Sequence, residues 1–309
     1  MTSSISVKLA TSAAGFWSAF FAYIFWGVLP IYWKELEHIS ALEILAQRLW
    51  WSFLILLLFL LLVRRLRSTL SIFKERRTLL ILTITSLLIA INWFIYIWAV
   101  NNGQIVATSL GYYLVPIFNI LCGTLLFKER PSRPQWIAVF LAGIGVAIQV
   151  IVVGGMPWVS LVLSLSFTAY GVLRKTAPVA AIPGLFIETL LLIPLVVAYL
   201  AWLHAGPGLS FGANIGLTQS LLLVSTGLVT TLPMVLFAHG ARNIRLTTLG
   251  LLQYIAPSIA LLLGVLVYQE AMGLGQMLSF MFIWCGLIIY TLVSLRQHHH
   301  LAKIMKHTD

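Results

Sequence analysis

The stretch 109-SLGYYLVPIFNILCGTLLFKERPSRP-134 decides the fold, because its pattern of tyrosine, proline, glycine and glutamate occurs twice in the chain. It is apolar, carries a proline near its middle and ends in charged, proline-marked residues. Six positions in and after it recur 141 residues later with the same amino acid. These pairs are Tyr113 and Tyr254, Pro116 and Pro257, Gly123 and Gly264, Glu129 and Glu270, Gln135 and Gln276, and Gly145 and Gly286. A duplicated chain is the simplest explanation.

The composition indicates a membrane protein. Of the 309 residues, 61% are hydrophobic and 9% are charged, whereas a soluble domain has roughly 25% charged residues. A soluble core of this size could not bury so much apolar surface, so we expect an all-α, polytopic membrane protein. The net charge of +11 does not indicate nucleic acid, because the dense basic segment 64–77 lies between two apolar runs and is typical of a topology signal.

Ten apolar runs approach or reach the roughly 20 residues that a spanning helix needs. The sixth is the weakest, because it is short and rich in serine and threonine. The predicted spans are 15–33, 40–63, 78–100, 105–127, 134–153, 157–175, 182–203, 219–240, 246–268 and 273–295.

The positive charges predict the orientation of these helices. With the N-terminus in the cytoplasm, 17 of the 19 Lys and Arg residues fall on the cytoplasmic side, as the positive-inside rule requires. Ten helices then leave both termini inside. Each repeat, 1–153 and 154–309, has five helices, so the second copy must enter the membrane upside down. Inverted repeats are typical of secondary transporters, although some channels are built this way too.

Arg48, Asn92 and Tyr113 form a predicted outer polar layer. A charge within the bilayer core costs about 2.5–3.5 kcal/mol and is therefore a functional candidate. Each of the three lies eight residues from the outer end of its helix, roughly 12 Å deep. Together they could bind a carboxylate, a phosphate or a polar cargo. Alternatively, Arg48 pairs with a helix-end carbonyl or extends towards the interface.

Glu188, Gln253 and Tyr254 form a predicted inner polar layer, because they lie six to eight residues from the inner ends of their helices. Burial disfavours the charged form of a carboxylate, which suits a protonatable coupling group. A structural hydrogen bond to a neighbouring helix is the alternative. We expect the two layers to be two stations on one pathway, related by the pseudo-symmetry.

Further residues could line a cavity or form a gate. Trp26, Tyr96 and Tyr170 are among several aromatic residues that could line it, although lipid anchoring and core packing explain such residues as a group better. Pro116 and Pro257 lie at mid-helix, where each could kink its helix. Several glycines are expected to permit close helix packing: Gly123, Gly143, Gly145, Gly264 and Gly286.

The remaining acidic and cysteine residues are given structural roles. Glu43 is expected at the membrane interface, or in contact with Gln47 one turn later. Glu129 and Glu270 are expected to terminate helices on opposite sides. Cys122 and Cys285 lie in apolar runs without a metal-binding spacing, which indicates buried packing residues.

Several long motifs resemble the RarD branch, named for chloramphenicol sensitivity, of the EamA-type drug/metabolite transporter superfamily. The motifs include INWFIYIWAVN at 91–101, SLGYYLVP at 109–116, IETLLLIP at 187–194 and TLGLLQYIAP at 248–257. The resemblance implies ten helices in two EamA repeats in a bacterial inner membrane, but it implies no substrate. One departure is Ala107, where relatives often carry a carboxylate.

The sequence therefore predicts a secondary transporter of a small polar or amphipathic compound, working by alternating access and proton-coupled through Glu188 if that residue titrates. No GxxxxGK[ST] or HExxH motif occurs, so we expect no enzyme and no cofactor. The expected partners are a small-molecule cargo and membrane lipid, with no nucleic acid; the oligomeric state is left open, a dimer included. The alternatives are a non-transporting sensor or structural membrane protein, and a passive channel.

Overall fold

The computed structural model describes residues 2–128, 131–151, 156–244 and 252–307, and across those ranges the chain is helical with no strand. Within them, side chains are not described at residues 2–12, 127, 175, 241, 242 and 294–307. The helices are α1 Thr2–Lys34, α2 Ala41–Leu62, α3 Leu66–Leu70, α4 Arg76–Asn101, α5 Ile105–Phe127, α6 Arg133–Ile151, α7 Trp158–Thr176, α8 Ala181–Ala205, α9 Gly216–Asn243, α10 Ile255–Leu262 and α11 Leu274–His307.

Length and composition make eight helices of the described chain candidates to cross a membrane, and two shorter apolar helices lie at Trp158–Arg174 and Ile255–Val267. The eight coincide with eight predicted spans, and the two shorter helices lie within the predicted spans 157–175 and 246–268. A helix is the expected form for such runs, because lipid offers no partner for an unpaired backbone group. Glu129 and the first part of the ninth predicted span, 246–251, lie outside the described residues.

The two mid-span prolines behave differently. Pro116 lies inside the continuous helix α5. Pro257 lies in the first turn of α10, directly after a turn at Gln253 and Tyr254. A proline has no N–H to bond the carbonyl four residues earlier, which here belongs to Gln253. Pro257 therefore explains why the helix is interrupted by a turn at Gln253 and Tyr254. The carbonyl of Pro257 itself accepts a hydrogen bond from Ser109 Oγ at 2.6 Å.

Acidic side chains join distant parts of the fold. The carboxylate of Glu270 accepts hydrogen bonds from the backbone N–H groups of Ile105 (2.7 Å) and Val106 (2.8 Å), and so caps α5. An acid at a helix N-terminus satisfies orphan donors and the helix dipole. Glu43 is buried and accepts from both the backbone N–H and the hydroxyl of Ser210. This carboxylate is therefore held by the segment that follows α8, whereas Gln47 accepts from Trp51; that Glu43 lies at the depth of the membrane interface stays a prediction.

Several contacts between helices have a counterpart at the 141-residue offset of the sequence repeat. Helix α1 packs on α9 and α4 on α7, while α5 packs on α7 and α1 on α10. Three further pairs join corresponding helices directly, namely α2 with α8, α5 with α10 and α6 with α11. Leucines and phenylalanines such as Leu62, Phe140 and Leu195 are exposed on the outside of this bundle, which suits a lipid environment.

Close approach in the α6–α11 pair depends on glycine. A Cβ on Gly145 would lie 2.7 Å from the carbonyl oxygen of Ser279, and one on Gly286 would lie 2.8 Å from that of Ala138. Gly264 is also tight, against Val106 at 3.0 Å, but a Cβ on Gly143 would meet no atom within 4 Å. The packing role predicted for Gly145, Gly264 and Gly286 is confirmed, and that predicted for Gly143 is wrong, because Gly143 is exposed on the outer surface of α6.

Candidate functional site

Arg48 lies buried in the bundle, with 4% of its surface exposed. Its Nε donates to the hydroxyl of Thr230 on α9 at 2.7 Å. Its guanidinium carbon lies over the ring of Trp93, 3.9 Å from the centroid, and 5.2 Å from that of Trp33. Among the described residues, no carboxylate lies within ion-pair distance of this guanidinium. The cation is therefore held by an aromatic enclosure and one hydroxyl.

Three tyrosines, Tyr112, Tyr96 and Tyr32, lie near this guanidinium and pack in the same buried cluster as Trp33. The rings of Tyr96 and Tyr112 lie edge to face, 5.9 Å apart. Tyr112 donates to Asn92 Oδ1 at 3.1 Å. Arg48, Asn92 and Tyr96 thus belong to one cluster, and Tyr112 links them.

Asn92 also ties this cluster to α7. Its amide nitrogen donates to the Leu163 carbonyl at 2.9 Å and to the hydroxyl of Ser166 at 3.0 Å. With its oxygen taken by Tyr112, the amide of Asn92 has a partner at both ends, as a buried amide requires. Its position is therefore fixed within the cluster.

Tyr113 lies outside this cluster, contrary to the predicted outer layer. Its hydroxyl shares a 2.6 Å hydrogen bond with Ser258, and its ring stacks on that of Tyr254 with centroids 6.3 Å apart. Neighbouring residues on a helix point about 100° apart, so Tyr112 and Tyr113 cannot face the same partners. The prediction counted depth along the helix and missed Tyr112.

A second polar cluster surrounds Glu188 on α8, which is 1% exposed. Its carboxylate accepts from Thr85 on α4 at 2.6 Å and from the Tyr170 hydroxyl on α7 at 3.3 Å. Arg174 Nε lies 3.5 Å from it, and the two side chains are 13% and 1% exposed, respectively. The guanidinium of Arg174 occupies the space that a side chain at Gly184 would need. Glycine at position 184 therefore makes this ion pair sterically accessible.

Gln253 and Tyr254 are not among the described partners of Glu188, and the depth that they were predicted to share with it stays a prediction. Tyr254 stacks on Tyr113, and α10 packs on α1, α5 and the turn that follows α10. The partners of Glu188 come instead from α4 and α7. Tyr170, predicted as a cavity aromatic, is one of them. Arg174 was counted among the basic residues of the cytoplasmic side and was not proposed as a site residue, and its position one turn after Tyr170 on the same helix was the signal available for a site role.

Two other regions contribute less to a site. Trp26 packs in an aromatic cluster with Tyr23 and Phe237, at 5.4 and 5.5 Å between centroids. A cleft of about 440 Å³ lies beside the start of α5, lined in part by Glu270 and Gln149. In the described part of the chain, no three His, Cys, Asp or Glu side chains converge as a metal site would require.

Residues 13–151 match the EamA-like transporter family. An uncharacterized transporter of Vibrio cholerae is 44% identical over 278 residues, which is 90% of this chain and 92% of the relative. Protein RarD of Escherichia coli K12 is 36% identical over 91% of this chain and 95% of its own length, and protein RarD of Salmonella typhimurium is 39% identical over 88% of this chain and 92% of its own length. The chain belongs to the RarD branch of the EamA transporter family.

One solved crystal structure is similar to this chain in fold. The superposition covers 91% of this chain and 98% of the solved chain, with a TM-score of 0.57 and 16% sequence identity, so the similarity concerns the fold alone. With its family and its apolar helices, the chain is a multi-pass membrane transporter.

Proposed function

We propose that the chain is a secondary transporter of a small polar or amphipathic metabolite, which works by alternating access between two inverted five-helix repeats, 1–153 and 154–309. The observation that carries this is the α6–α11 contact. Gly145 approaches Ser279 while Gly286 approaches Ala138. Positions 138 and 279, like 145 and 286, differ by the 141 residues of the sequence repeat, so the contact has the form of a pseudo-two-fold interface.

The tyrosine pair supports the same symmetry. Tyr113 stacks on its own sequence counterpart, Tyr254, as residues beside a two-fold axis do. The helix pairs repeat as well, because α1 on α9 corresponds to α4 on α7 under the same offset. Two halves of one design that meet around an axis could exchange inward-facing and outward-facing shapes. The distribution of Lys and Arg favours a bacterial inner membrane orientation with both termini in the cytoplasm.

Glu188 is the proposed coupling residue. It is buried, it is paired with Arg174, and its contacts join α4, α7 and α8. Protonation of the carboxylate would end its attraction to Arg174 and so loosen a contact between these three helices. Proton binding would thereby change which conformation is favoured.

Transport by the purified full chain in proteoliposomes tests the proposal. The vesicles are incubated with a defined mixture of small metabolites, with and without a pH gradient, and their contents are measured by mass spectrometry against protein-free vesicles. We expect at least one metabolite to accumulate in response to the gradient. Glu188→Gln should lose this accumulation but retain exchange of the same metabolite at equal pH, and Arg76→Gln, at an exposed site, should behave as wild type.

Two results would overturn the proposal. Contents equal to those of protein-free vesicles for every compound would favour the sensor or structural alternative. Ion currents far above transporter turnover would favour a passive channel.

A further inference from the structure

The charge of Arg48 lacks a counter-ion within the described chain. All six described carboxylates are engaged elsewhere or exposed, and Glu129 and Asp309 lie outside the described residues. Glu43 is bonded to Ser210, Glu188 is paired with Arg174, Glu270 caps α5, Glu37 is paired with Lys34, Glu75 accepts from Thr78, and Glu35 is exposed. A buried guanidinium without an anion is costly, since its hydration is lost and no opposite charge replaces it.

The contacts of Arg48 replace only part of that hydration. A guanidinium has five N–H donors, and among the described residues only the Nε donor has a hydrogen-bond partner, Thr230. The aromatic ring of Trp93 offers attraction to the cation but accepts no strong hydrogen bond. The two terminal nitrogens of Arg48 therefore keep their donors for a ligand.

The neighbouring free group is also a donor. The hydroxyl of Tyr96 has no hydrogen-bond partner among the described residues, and its ring packs edge to face on Tyr112 in the buried cluster that contains Trp33. The hydroxyl of Tyr112, by contrast, already donates a hydrogen bond to Asn92 Oδ1. A guanidinium with unused N–H donors and a nearby phenol fits an oxyanion, which can accept from both, whereas a cationic ligand would be repelled. The rings next to the guanidinium are those of Trp93 and Trp33, at 3.9 and 5.2 Å from its carbon, and aromatic neighbours fit a flat apolar body attached to the anionic group.

We propose that Arg48 and Tyr96 bind the oxyanion of a small organic acid, a carboxylate or a phosphate monoester, whose apolar body lies among Trp33, Trp93 and Tyr112. This assignment rests on the proposed transport function and names the class of its cargo. In the alternative, Arg48 is a structural cation for which the aromatic rings and Thr230 suffice, and no anion binds.

Matched ligands separate the two interpretations. The purified full chain is heated with phenylacetate, phenylacetamide or phenyl phosphate, and unfolding is followed by tryptophan fluorescence. The acid and the amide share one body and differ in charge. We expect phenylacetate or phenyl phosphate, or both, to raise the melting temperature in a saturable manner, and phenylacetamide to leave it unchanged. The acid that gives the larger rise in melting temperature shows whether the site prefers a carboxylate or a phosphate.

Variants connect the effect to the site. Arg48→Gln should abolish the shift, and Arg48→Lys, which keeps the charge without the planar fork, should weaken binding by about tenfold. Tyr96→Phe keeps the ring and should weaken binding severalfold, so it tests the site even if Arg48→Gln does not fold. Arg76→Gln is the matched control, because this arginine is exposed at the start of α4. Equal responses to acid and amide, or an acid response that survives in both Arg48→Gln and Tyr96→Phe, would overturn the proposal.

The transport assay separates this inference from the function on which it rests. Accumulation of organic acids but not of neutral analogues, lost in Arg48→Gln, supports both. Accumulation of neutral compounds alone would leave a transporter in place and refute the anion site. If no acid or neutral compound is moved and no acid binds, both proposals fail.

Discussion

The ion pair between Glu188 and Arg174 offers the sharpest test of the second polar cluster. The perturbation is Glu188→Gln, which keeps the size of the side chain and removes its charge. A glutamine carbonyl can take the place of the oxygen that accepts from Thr85, while the amide nitrogen takes the place of the other oxygen and can donate to the Tyr170 hydroxyl, so both residues keep a hydrogen-bond partner. What is lost is the attraction to Arg174 Nε, 3.5 Å away.

The size of the effect follows from burial. At 3.5 Å, two unit charges attract by about 5 kcal/mol at an effective dielectric constant of about 20. Removing one partner of a fully buried pair costs about 3–5 kcal/mol. Arg174 is 13% exposed and retains some hydration, so we expect Glu188→Gln to destabilise the fold by about 2–3 kcal/mol. Adding Arg174→Gln should recover part of this, because the unpaired cation is then gone.

A double-mutant cycle measures this coupling. The four proteins are unfolded reversibly in mixed micelles of increasing SDS content and followed by tryptophan fluorescence. We expect a coupling energy of about 1.5–3 kcal/mol between the two substitutions. A parallel cycle of Glu188→Gln with the exposed Arg76→Gln should be additive. Additivity in both cycles would refute the reasoning, since it would mean that the 3.5 Å contact carries no energy.

Three further predictions concern packing, capping and the Arg48 cluster. Gly145→Ala should destabilise the fold by about 1–3 kcal/mol relative to Gly143→Ala on the same helix, because only the first adds a methyl group against backbone atoms; equal SDS-unfolding midpoints would contradict this. Glu270→Ala should lower the stability of the first turn of α5 by about 1–2 kcal/mol. Hydrogen exchange at the N–H groups of Ile105 and Val106 should then be about 5–30 times faster, and the exposed Glu37→Ala serves as the control. Unchanged exchange would rule out the cap. Tyr112→Phe should weaken the binding of phenylacetate, since Asn92 Oδ1 then loses its hydrogen bond beside Arg48. Tyr113→Phe should leave binding unchanged, because the Tyr113 hydroxyl bonds Ser258 instead. A thermal-shift titration in which only Tyr113→Phe weakens binding would support the predicted outer layer of Arg48, Asn92 and Tyr113.

The sequence was a good guide to the apolar helices, for a physical reason. Length and hydrophobicity alone determine whether a run can cross a bilayer, and both can be read from the chain. Repeated positions such as Gly145 and Gly286 report contacts between the halves, because close packing leaves little freedom of residue choice. The same holds for Tyr113 and Tyr254, although their role in the contact was not predicted.

The membership of the polar clusters could not be predicted in the same way. Depth in the membrane can be counted from a helix end, but the direction of a side chain depends on how each helix is rotated against its neighbours. Arg48 and Asn92 were grouped correctly, whereas Tyr113 was chosen where Tyr112 faces them. Glu188 was identified from its charge, but its partner Arg174 comes from the preceding helix, and a glycine on its own helix makes room for that partner.

The two charged residues occupy adjacent positions of the repeat and differ in sign. An offset of 141 residues relates Gln47 to Glu188 and Arg48 to Thr189. Arg48 bonds a threonine of α9, and Glu188 accepts from a threonine of α4, the helix that corresponds to α9 in the other half. On the proposed two-repeat scaffold, adjacent positions of the repeat thus carry one buried cation and one buried anion.

This division has a consequence for the energetics of transport. If Arg48 binds a monoanion while Glu188 binds a proton, each cycle moves no net charge across the membrane. Uptake of phenylacetate by proteoliposomes should then respond to a pH gradient and be unchanged by a potassium diffusion potential of either sign. In Glu188→Gln the proton is no longer carried, so any remaining movement of the anion should become sensitive to the potential. A wild-type rate that follows the potential would show that the two charges do not travel as a neutral pair.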